Sequence, residues 1–161
     1  MKYIWAPWRI EYIRSEKSKG CILCDKPKEN NDDKNYILFR GITNFIILNL
    51  YPYNPGHMMV VPYRHLNNLD DLTDEELFEH YNLVRQCCRV LKEAYKPEGF
   101  NIGMNLGRIA GAGIDDHIHT HIIPRWGGDT SFVTVVSDVR FLPHAMDATY
   151  QELKEVIKLG C

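Results

Sequence analysis

The sequence predicts an α+β fold in which an antiparallel five- to six-stranded sheet is covered by one long helix and a C-terminal helix. Three observations support this prediction. Short apolar runs rich in β-branched residues follow one another closely, one long segment with helical periodicity interrupts them, and a second helical segment closes the chain. Because strands joined by short turns pair antiparallel, this order favours α+β over a parallel, doubly wound sheet.

Length and composition indicate one globular domain. Of the 161 residues, 45% are hydrophobic and 25% are charged, and the net charge is −2. This balance lacks the basic excess of a dedicated nucleic-acid binder, so we expect no nucleic acid polymer among the partners. No apolar run reaches the roughly 18 residues that cross a bilayer, and the N-terminal residues lack an apolar signal core. We therefore expect a cytoplasmic protein with no membrane partner and, given five cysteines, an odd number, with reduced thiols.

The first predicted elements are an arm, a polar loop and three strands. Residues 1–20 mix aromatic and basic side chains without a regular period, which predicts an N-terminal arm that packs on the body or on a second subunit. The next segment, residues 25–35, is polar and predicts a loop. Three strand-like runs follow, and they cover residues 35–40, 44–50 and 57–62.

The long helix begins at a capping box, in which Thr73 and Glu76 have the required spacing. Apolar residues then recur at alternating steps of four and three, which predicts a buried stripe made of Leu77, Tyr81, Val84, Cys88, Leu91 and Tyr95. His80 falls outside this stripe, and we expect it to face solvent. Proline and glycine at positions 97 and 99 should end the helix.

Strands and loops alternate in the last third of the chain, and a helix closes it. The predicted strands cover residues 100–105, 116–124 and 130–136, with a glycine-rich loop over 107–113, and the closing helix covers 146–159. Its core-facing residues should be Met146, Tyr150, Leu153 and Ile157. Since we find no internal repeat and no linker, residues 21–161 are predicted to form a single domain.

Histidine occupies every second position of the segment that contains His117, His119 and His121. Alternate side chains of a strand share a face, so these residues predict a row of imidazoles. An imidazole can act as nucleophile, general base, acid or metal ligand near neutral pH. Polar residues on the wet side of an edge strand are the alternative. A solvated strand face more often carries Thr, Lys or Glu, so we favour a functional site.

The triad segment resembles the signature of the histidine triad (HIT) superfamily of nucleotide hydrolases and transferases, in which His-x-His-x-His precedes two apolar residues, here Ile122 and Ile123. Upstream, Asn49 lies eight residues before His57 in a Pro-Gly-His segment that is similar to the second signature of the family. The stretches at 5–9 and 124–129 resemble the diadenosine tetraphosphate phosphorylase-like branch. The resemblance covers nearly the whole chain and implies a HIT-like fold.

By this resemblance, His119 would attack the α-phosphorus of a nucleotide and form a nucleotidyl-histidine intermediate. His121 would donate to the phosphate oxygens or the leaving oxygen, and His57 would complete the catalytic cluster. The implied reaction is phosphorolysis of diadenosine polyphosphates, converting diadenosine tetraphosphate and phosphate to ADP and ATP. Hydrolysis of dinucleoside polyphosphates or of nucleoside phosphoramidates (AMP derivatives) is the enzymatic alternative. A non-catalytic nucleotide-binding module is the alternative from another class.

The resemblance also implies a set of nucleotide-binding residues. Asn49 would bind the ribose hydroxyls, and the loop that follows Asn105 would contact phosphate. Glycines let backbone N–H groups approach phosphate oxygens, although the family often has Gln-Ser where Gly113 and Ile114 stand here. The full predicted set is Asn49, Asn105, Gly111, Ala112, Gly113, Ile47 and Met59, of which the last two would wall the base pocket.

The spacing of Cys21 and Cys24 is by itself compatible with a redox pair, a metal half-site or chance. Zinc requires four nitrogen or sulfur ligands. Bacterial members of the superfamily complete such a pair with two histidines, whose positions here hold His65 and His117. The resemblance therefore implies a structural zinc as the cofactor. It also implies a homodimer or a higher homo-oligomer, in which a helix and a sheet edge pair across a two-fold axis.

Overall fold

Five antiparallel strands form the centre of the computed structural model, which describes residues 20–114, 116–129 and 144–158. The strands are β1 (Ile37–Arg40), β2 (Asn44–Leu48), β3 (Met58–Pro62), β4 (Gly99–Met104) and β5 (Thr120–Arg125), in the spatial order β1-β2-β3-β5-β4. All neighbouring pairs are antiparallel. The predicted α+β class and the antiparallel sheet are confirmed.

The register of the sheet divides its residues between two faces. Ile47 pairs with Met59, Met59 with His121, and His121 with Gly103, so these four positions form one row across the sheet. The adjacent row packs in the main core on the opposite face and contains Leu48, Met58 and Ile122. The sheet therefore separates a core covered by helices from the face that carries His121.

The first two helices are short. Helix α1 (Ile22–Lys28) and helix α2 (Asp32–Asn35) replace the loop predicted for residues 25–35, which was wrong. The side chain of Asn31 accepts a hydrogen bond from the Lys34 N–H and so caps α2. Both helices were missed because their sequences are polar and because neither is long enough to show the helical period of apolar residues.

Helix α3 (Asp74–Tyr95) covers the main core, and its predicted capping box between Thr73 and Glu76 is confirmed. The predicted stripe was wrong in part. Its buried residues are Glu76, His80, Leu83, Val84, Cys87, Val90 and Leu91, so the buried face is rotated by one position from the predicted stripe. Tyr81, predicted to be inward, is exposed. His80, expected to face solvent, is fully buried between the helix and the sheet, where Asn44 and Thr120 bind it.

Helix α4 (Met146–Lys158) packs on α3 and β1. Its predicted inward residues are confirmed: Tyr150, Leu153 and Ile157 are buried, and Met146 packs against the same core. The Tyr150 hydroxyl donates to the Ile37 carbonyl over 3.1 Å and ties the helix to β1.

The strand predicted for residues 116–124 begins only at Thr120, so that prediction was wrong at its N-terminal end. The Ile118 N–H donates to the Leu66 carbonyl, and the Pro62 carbonyl accepts from the His117 ring, so these groups are not available for a longer ladder. Short 3₁₀ turns lie at Leu69–Asp71 and Arg108–Ala110. Within the described ranges, no helix combines the length and apolarity needed to span a membrane.

The arm predicted for residues 1–20, except Gly20, and the strand predicted for residues 130–136 lie outside the described residues. The division into an arm and a domain over 21–161 stays a prediction.

Candidate functional site

Two histidines from neighbouring strands form the centre of the site. His57 lies directly before β3 and is buried, and His121 lies in β5. His57 Nε2 is 2.9 Å from His121 Nδ1. The ring of Tyr53 covers the pair, with its centroid 5.0 Å from that of His57 and 6.2 Å from that of His121. Sequence positions 57 and 121, which were predicted to meet, therefore do meet.

The backbone determines where the protons of this pair lie. The Tyr53 N–H donates to His57 Nδ1 over 3.2 Å, and a backbone N–H can only donate. In neutral His57 the proton is then on Nε2, which donates to His121 Nδ1. In neutral His121 the proton is consequently on Nε2. This chain of bonds leaves His121 with an Nε2–H donor that has no acceptor among the described residues.

Both rings are neutral at pH 7. Burial, followed by the nearby His121 and His119, lowers the pKa of His57 to about 3. Burial, followed by the charge of His119, lowers the pKa of His121 to about 4. The tautomers assigned above are therefore the forms present at neutral pH.

His119 presents the complementary tautomer. Its Nδ1 lies 2.8 Å from the carbonyl oxygen of His117, which can only accept, so Nδ1 carries the proton. In the neutral ring, Nε2 then holds a lone pair. The rings of His119 and His121 are 4.8 Å apart at an interplanar angle of 78°. A ring with a lone pair on Nε2 and a ring with an N–H donor thus lie beside each other.

Gly56 explains the close packing that fixes His57. Its φ of +78° lies in the region that favours glycine. A Cβ at this position would come within 2.8 Å of the Leu91 side chain in α3. The turn before His57 can therefore approach the helix only without a side chain.

The predicted ribose residue lies beside this centre, and the predicted phosphate loop is closed by a hydrogen bond of its own. Asn49 Nδ2 is 3.4 Å from His57 Nδ1, and Asn49 Oδ1 accepts from the Tyr51 N–H. Asn105 Nδ2 donates to the Gly111 carbonyl over 3.5 Å, which closes the glycine-rich loop. Gly111 has φ +89°, which again favours glycine.

Backbone donors are available at the end of that loop. Among the described residues, the N–H groups of Ala112 and Gly113 donate to no acceptor. Such groups can bind an anion, because unpaired adjacent N–H groups form a concave donor site.

The two predicted base-pocket residues lie in the sheet row of His121. Ile47 and Met59 are both buried and belong to a second apolar cluster with Leu23, Ile37, Phe45 and Val61. Since Met59 pairs directly with His121, the apolar surface is continuous with the imidazoles.

The four predicted metal ligands also come together. Cys21 is the N-cap of α1, and Cys24 lies in its first turn, where its N–H donates to the Cys21 carbonyl. The ligand atoms of Cys21, Cys24, His65 and His117 all lie within 4.8 Å of one another. Nδ1 of His117 is 3.2 Å from Cys21 Sγ and 3.4 Å from Cys24 Sγ, and Nδ1 of His65 is 3.3 Å from Cys24 Sγ.

The outer nitrogen of His117 has an acceptor, and that of His65 lies near a carboxylate. His117 Nε2 donates to the Pro62 carbonyl over 2.9 Å, so in the neutral ring the lone pair is on Nδ1, which faces the cysteines. His65 Nε2 is 3.8 Å from the Asp116 carboxylate. This set of two thiols and two imidazoles, in which the Pro62 carbonyl orients His117, fits tetrahedral zinc.

Two residues that contribute to these sites were not predicted from the sequence. Tyr53 acts through its backbone N–H, which no residue pattern reveals. Asp116 precedes His117, and its proximity to His65 depends on the fold. The Arg125 guanidinium is paired with the Asp129 carboxylate and Asn101.

The fold and the clustered histidines define a histidine triad protein, and the comparison of sequences agrees. The HIT domain family model matches residues 31–128, and the chain belongs to this family. The chain is 37% identical over 158 residues to AP-4-A phosphorylase of Mycobacterium tuberculosis. This alignment covers 92% of this chain and 80% of that protein.

Two further relatives extend the comparison. The chain is 36% identical over 95 residues to bis(5'-nucleosyl)-tetraphosphatase [asymmetrical] of Schizosaccharomyces pombe, covering 59% of this chain and 52% of that protein. A crystal structure of a zinc-bound histidine triad family protein from Mycobacterium smegmatis superposes with a TM-score of 0.71 at 24% identity, covering 87% of this chain and 94% of that one. The last similarity shows the shared fold.

Proposed function

We propose that this protein is a nucleotidyl transferase that cleaves diadenosine polyphosphates, with phosphate as the acceptor. Diadenosine tetraphosphate and phosphate would yield ADP and ATP. The observation that carries this proposal is the pair of complementary imidazoles: His119 with a lone pair on Nε2, beside His121 with a proton on Nε2. The similarity to an AP-4-A phosphorylase supports the choice of substrate.

In the first step, His119 Nε2 attacks the α-phosphorus that is bonded to one adenosine of diadenosine tetraphosphate. The N–P bond forms while the anhydride P–O bond breaks, and ATP leaves. Neutral His121 donates a hydrogen bond from Nε2 to the oxygen on which negative charge develops. His57 holds His121 in the required tautomer, because its own Nδ1 is occupied by the Tyr53 N–H.

In the second step, a phosphate oxygen attacks the adenylyl-His119 phosphorus. The new P–O bond yields ADP and returns the lone pair to His119. If water attacks instead, the product is AMP. A covalent intermediate divides one difficult displacement into two easier ones.

We assign the nucleotide to the loop and row beside the triad. The free N–H groups of Ala112 and Gly113 suit the phosphate oxygens, and Asn105 closes the loop that carries them. Asn49, beside His57, suits the ribose hydroxyls. The base would lie against the apolar row that contains Ile47 and Met59, as its continuity with His121 supports.

We propose that Cys21, Cys24, His65 and His117 hold a structural zinc. A four-ligand protein site has no open position for substrate, so the ion would stabilise the fold by joining α1 to the segment before β5. It would also fix His117, whose carbonyl accepts from His119. Zinc ligation needs reduced cysteines, and the expected cytoplasmic location would keep them reduced.

We also propose a homodimer. Strand β4 is a sheet edge that pairs with β5 alone among the described residues, and its Ile102 is exposed. Tyr81 lies on the flank of α3 opposite Glu79, whose carboxylate contacts the β1–β2 turn, so Tyr81 faces the β4 side. Light scattering on wild-type protein should give the dimer mass, and Ile102→Lys should give the monomer mass. A monomeric wild type would contradict the proposal.

The decisive assay incubates the protein with diadenosine tetraphosphate in the presence and absence of phosphate. The proposal predicts ADP and ATP that appear only with phosphate. AMP and ATP formed regardless of phosphate would instead establish the hydrolase, which the similarity to a bis(5'-nucleosyl)-tetraphosphatase favours as the second candidate. Nucleotide binding without any turnover would indicate the non-catalytic module.

A further inference from the structure

His80 lies in the core between α3 and the sheet, with 0% of its surface exposed. Both ring nitrogens are hydrogen-bonded: Nδ1 is 2.8 Å from Asn44 Oδ1, and Nε2 is 2.7 Å from Thr120 Oγ1. Thr120 lies between His119 and His121 in the chain. The reaction steps described above use none of His80, Asn44 and Thr120.

The direction of each bond follows from Asn44. Its Nδ2 donates to Thr43 Oγ1 over 2.8 Å and to the Glu76 carbonyl over 3.1 Å, so Oδ1 faces His80 and can only accept. His80 Nδ1 therefore carries the proton. Burial lowers the pKa of His80 to about 4, so the ring is neutral at pH 7 and Nε2 holds a lone pair. The Thr120 hydroxyl is the donor to that nitrogen.

Thr120 marks the position where the catalytic segment joins the sheet. It is the first residue of β5 and pairs with Val60 and Met104. Before it, the chain leaves the ladder, and His119 lies outside the strand while His121 lies within it. A rotation of the backbone at Thr120 would therefore change the position of one imidazole relative to the other.

Asn44, the second hydrogen-bond partner of His80, is itself held by hydrogen bonds. The Asn44 N–H donates to the Glu79 carboxylate over 2.9 Å, and the same carboxylate accepts from the N–H groups of Ile42 and Thr43. Burial alone would raise the pKa of Glu79, but hydrogen bonds from the Thr43 hydroxyl, the Ile42 and Thr43 N–H groups and the Asn44 side chain lower it to about 2, so the carboxylate stays charged. The network thus anchors His80 to both α3 and β2.

We propose that His80 is a positioning residue, which accepts a hydrogen bond from the Thr120 hydroxyl and thereby holds His119 and His121 so that both face the same phosphate. The role rests on the proposed function, because it concerns the presentation of the proposed nucleophile and donor. A hydrogen bond fixes the direction of the Thr120 side chain, whereas apolar packing alone would leave it less defined.

The test uses Thr120→Val, which keeps the β-branched shape and removes the donor. We expect the single-turnover rate of adenylyl transfer to His119 to fall by about tenfold to a hundredfold. The dissociation constant for AMP should change by less than about twofold, since binding and chemistry separate in this way when only positioning is lost. Thr120→Ser keeps the hydroxyl and should restore the rate to within about threefold of wild type.

A matched control is Tyr150→Phe, which removes another buried hydroxyl, here the donor to the Ile37 carbonyl at 3.1 Å between α4 and β1. It should leave the transfer rate unchanged. If Thr120→Val does not fold, the double variant His80→Leu/Thr120→Val removes both partners of the bond and is measured instead. A folded variant that lacks this bond and transfers at the wild-type rate would overturn the proposal.

A readout without turnover separates this inference from the proposed function. In ¹⁵N-histidine NMR spectra of the full chain, Thr120→Val should shift the ring signals of His119 and His121, and Tyr150→Phe should not. If the wild type transfers no adenylyl group, the proposed function fails, and the spectra alone decide the positioning role. Unchanged His119 and His121 signals in Thr120→Val would then overturn it.

Discussion

His57 donates a hydrogen bond from Nε2 to Nδ1 of His121 over 2.9 Å. Because the Tyr53 N–H occupies the other nitrogen of His57, the main chain determines the tautomer of both rings. His121 is thereby prepared as a donor before any substrate binds. This arrangement makes the role of His57 indirect, and it can be separated from nucleotide binding by kinetics.

Replacing His57 by phenylalanine should lower kcat by about a hundredfold, because His121 then loses the partner that sets its tautomer and orientation. KM should change little. Steady-state kinetics with diadenosine tetraphosphate measures both. His144→Phe alters another histidine that contacts an aromatic ring and serves as the control. Wild-type kcat in His57→Phe would refute the role of His57 in setting the tautomer and orientation of His121.

Removal of one thiol should remove the metal. Purified wild-type protein should contain one zinc per chain, and Cys21→Ser should lose it. A loss of about 3 kcal/mol corresponds to a fall in Tm of about 6–12 °C for a chain of this size. Elemental analysis and calorimetry test this prediction. Cys88→Ser, a half-buried thiol outside the cluster, should keep its zinc, and equal metal content in the two variants would contradict the assignment.

The stability of the protein should fall in mild acid. The pKa of His80 is about 4 in the folded protein and near its ordinary value of about 6.5 when unfolded, so between these values the unfolded chain binds one more proton. Stability therefore rises with pH in this window and is lost as the pH falls. Each such proton contributes a slope of about 1.4 kcal/mol per pH unit.

A variant without the His80 imidazole serves as the control for this pH dependence. His80→Gln cannot take up this proton, so its unfolding free energy should depend less steeply on pH between pH 5 and 6, by about the slope of one proton. Zinc ligands and His57 titrate in both proteins and cancel in the difference. Urea unfolding at several pH values measures the two curves. Parallel curves would show that His80 does not remain neutral.

Gly56→Ala should destabilise the protein by about 2 kcal/mol, because the turn has a positive φ and a Cβ there would clash with Leu91. Gly99→Ala is the matched control, since a Cβ at that position meets nothing within 4 Å. Denaturant unfolding compares the two variants. Equal stabilities would mean that the turn before His57 can relax.

Much of the site could be predicted from sequence because its residues lie in two recognisable segments. The Pro-Gly-His segment and the triad were expected to meet, and His57 does contact His121. The resemblance likewise implied that Cys21 and Cys24 meet His65 and His117, and the ligand atoms of these four residues lie within 4.8 Å of one another. The error at the start of β5 has a local cause: alternation of side chains does not reveal where pairing ends, and here the carbonyls of Pro62 and Leu66 accept from other groups.

His80 could not be predicted from periodicity. An amphipathic pattern counts histidine as polar, and its burial becomes favourable only with Asn44 and Thr120, which are 36 and 40 positions away in the chain. The rotation of the buried face of α3 follows from the same residue. The role of Tyr53 was equally hidden, because its backbone N–H, and not its side chain, sets the tautomer of His57.

The central claim is that His119 is the nucleophile, and trapping the intermediate tests it most directly. Wild-type protein is mixed with diadenosine tetraphosphate without phosphate, quenched rapidly in alkali and examined by peptide mass spectrometry. We predict one adenylyl group on the peptide at His119, and none in His119→Asn, which should still bind AMP. Turnover by His119→Asn at the wild-type rate, or an adenylyl group on another residue, would contradict the account.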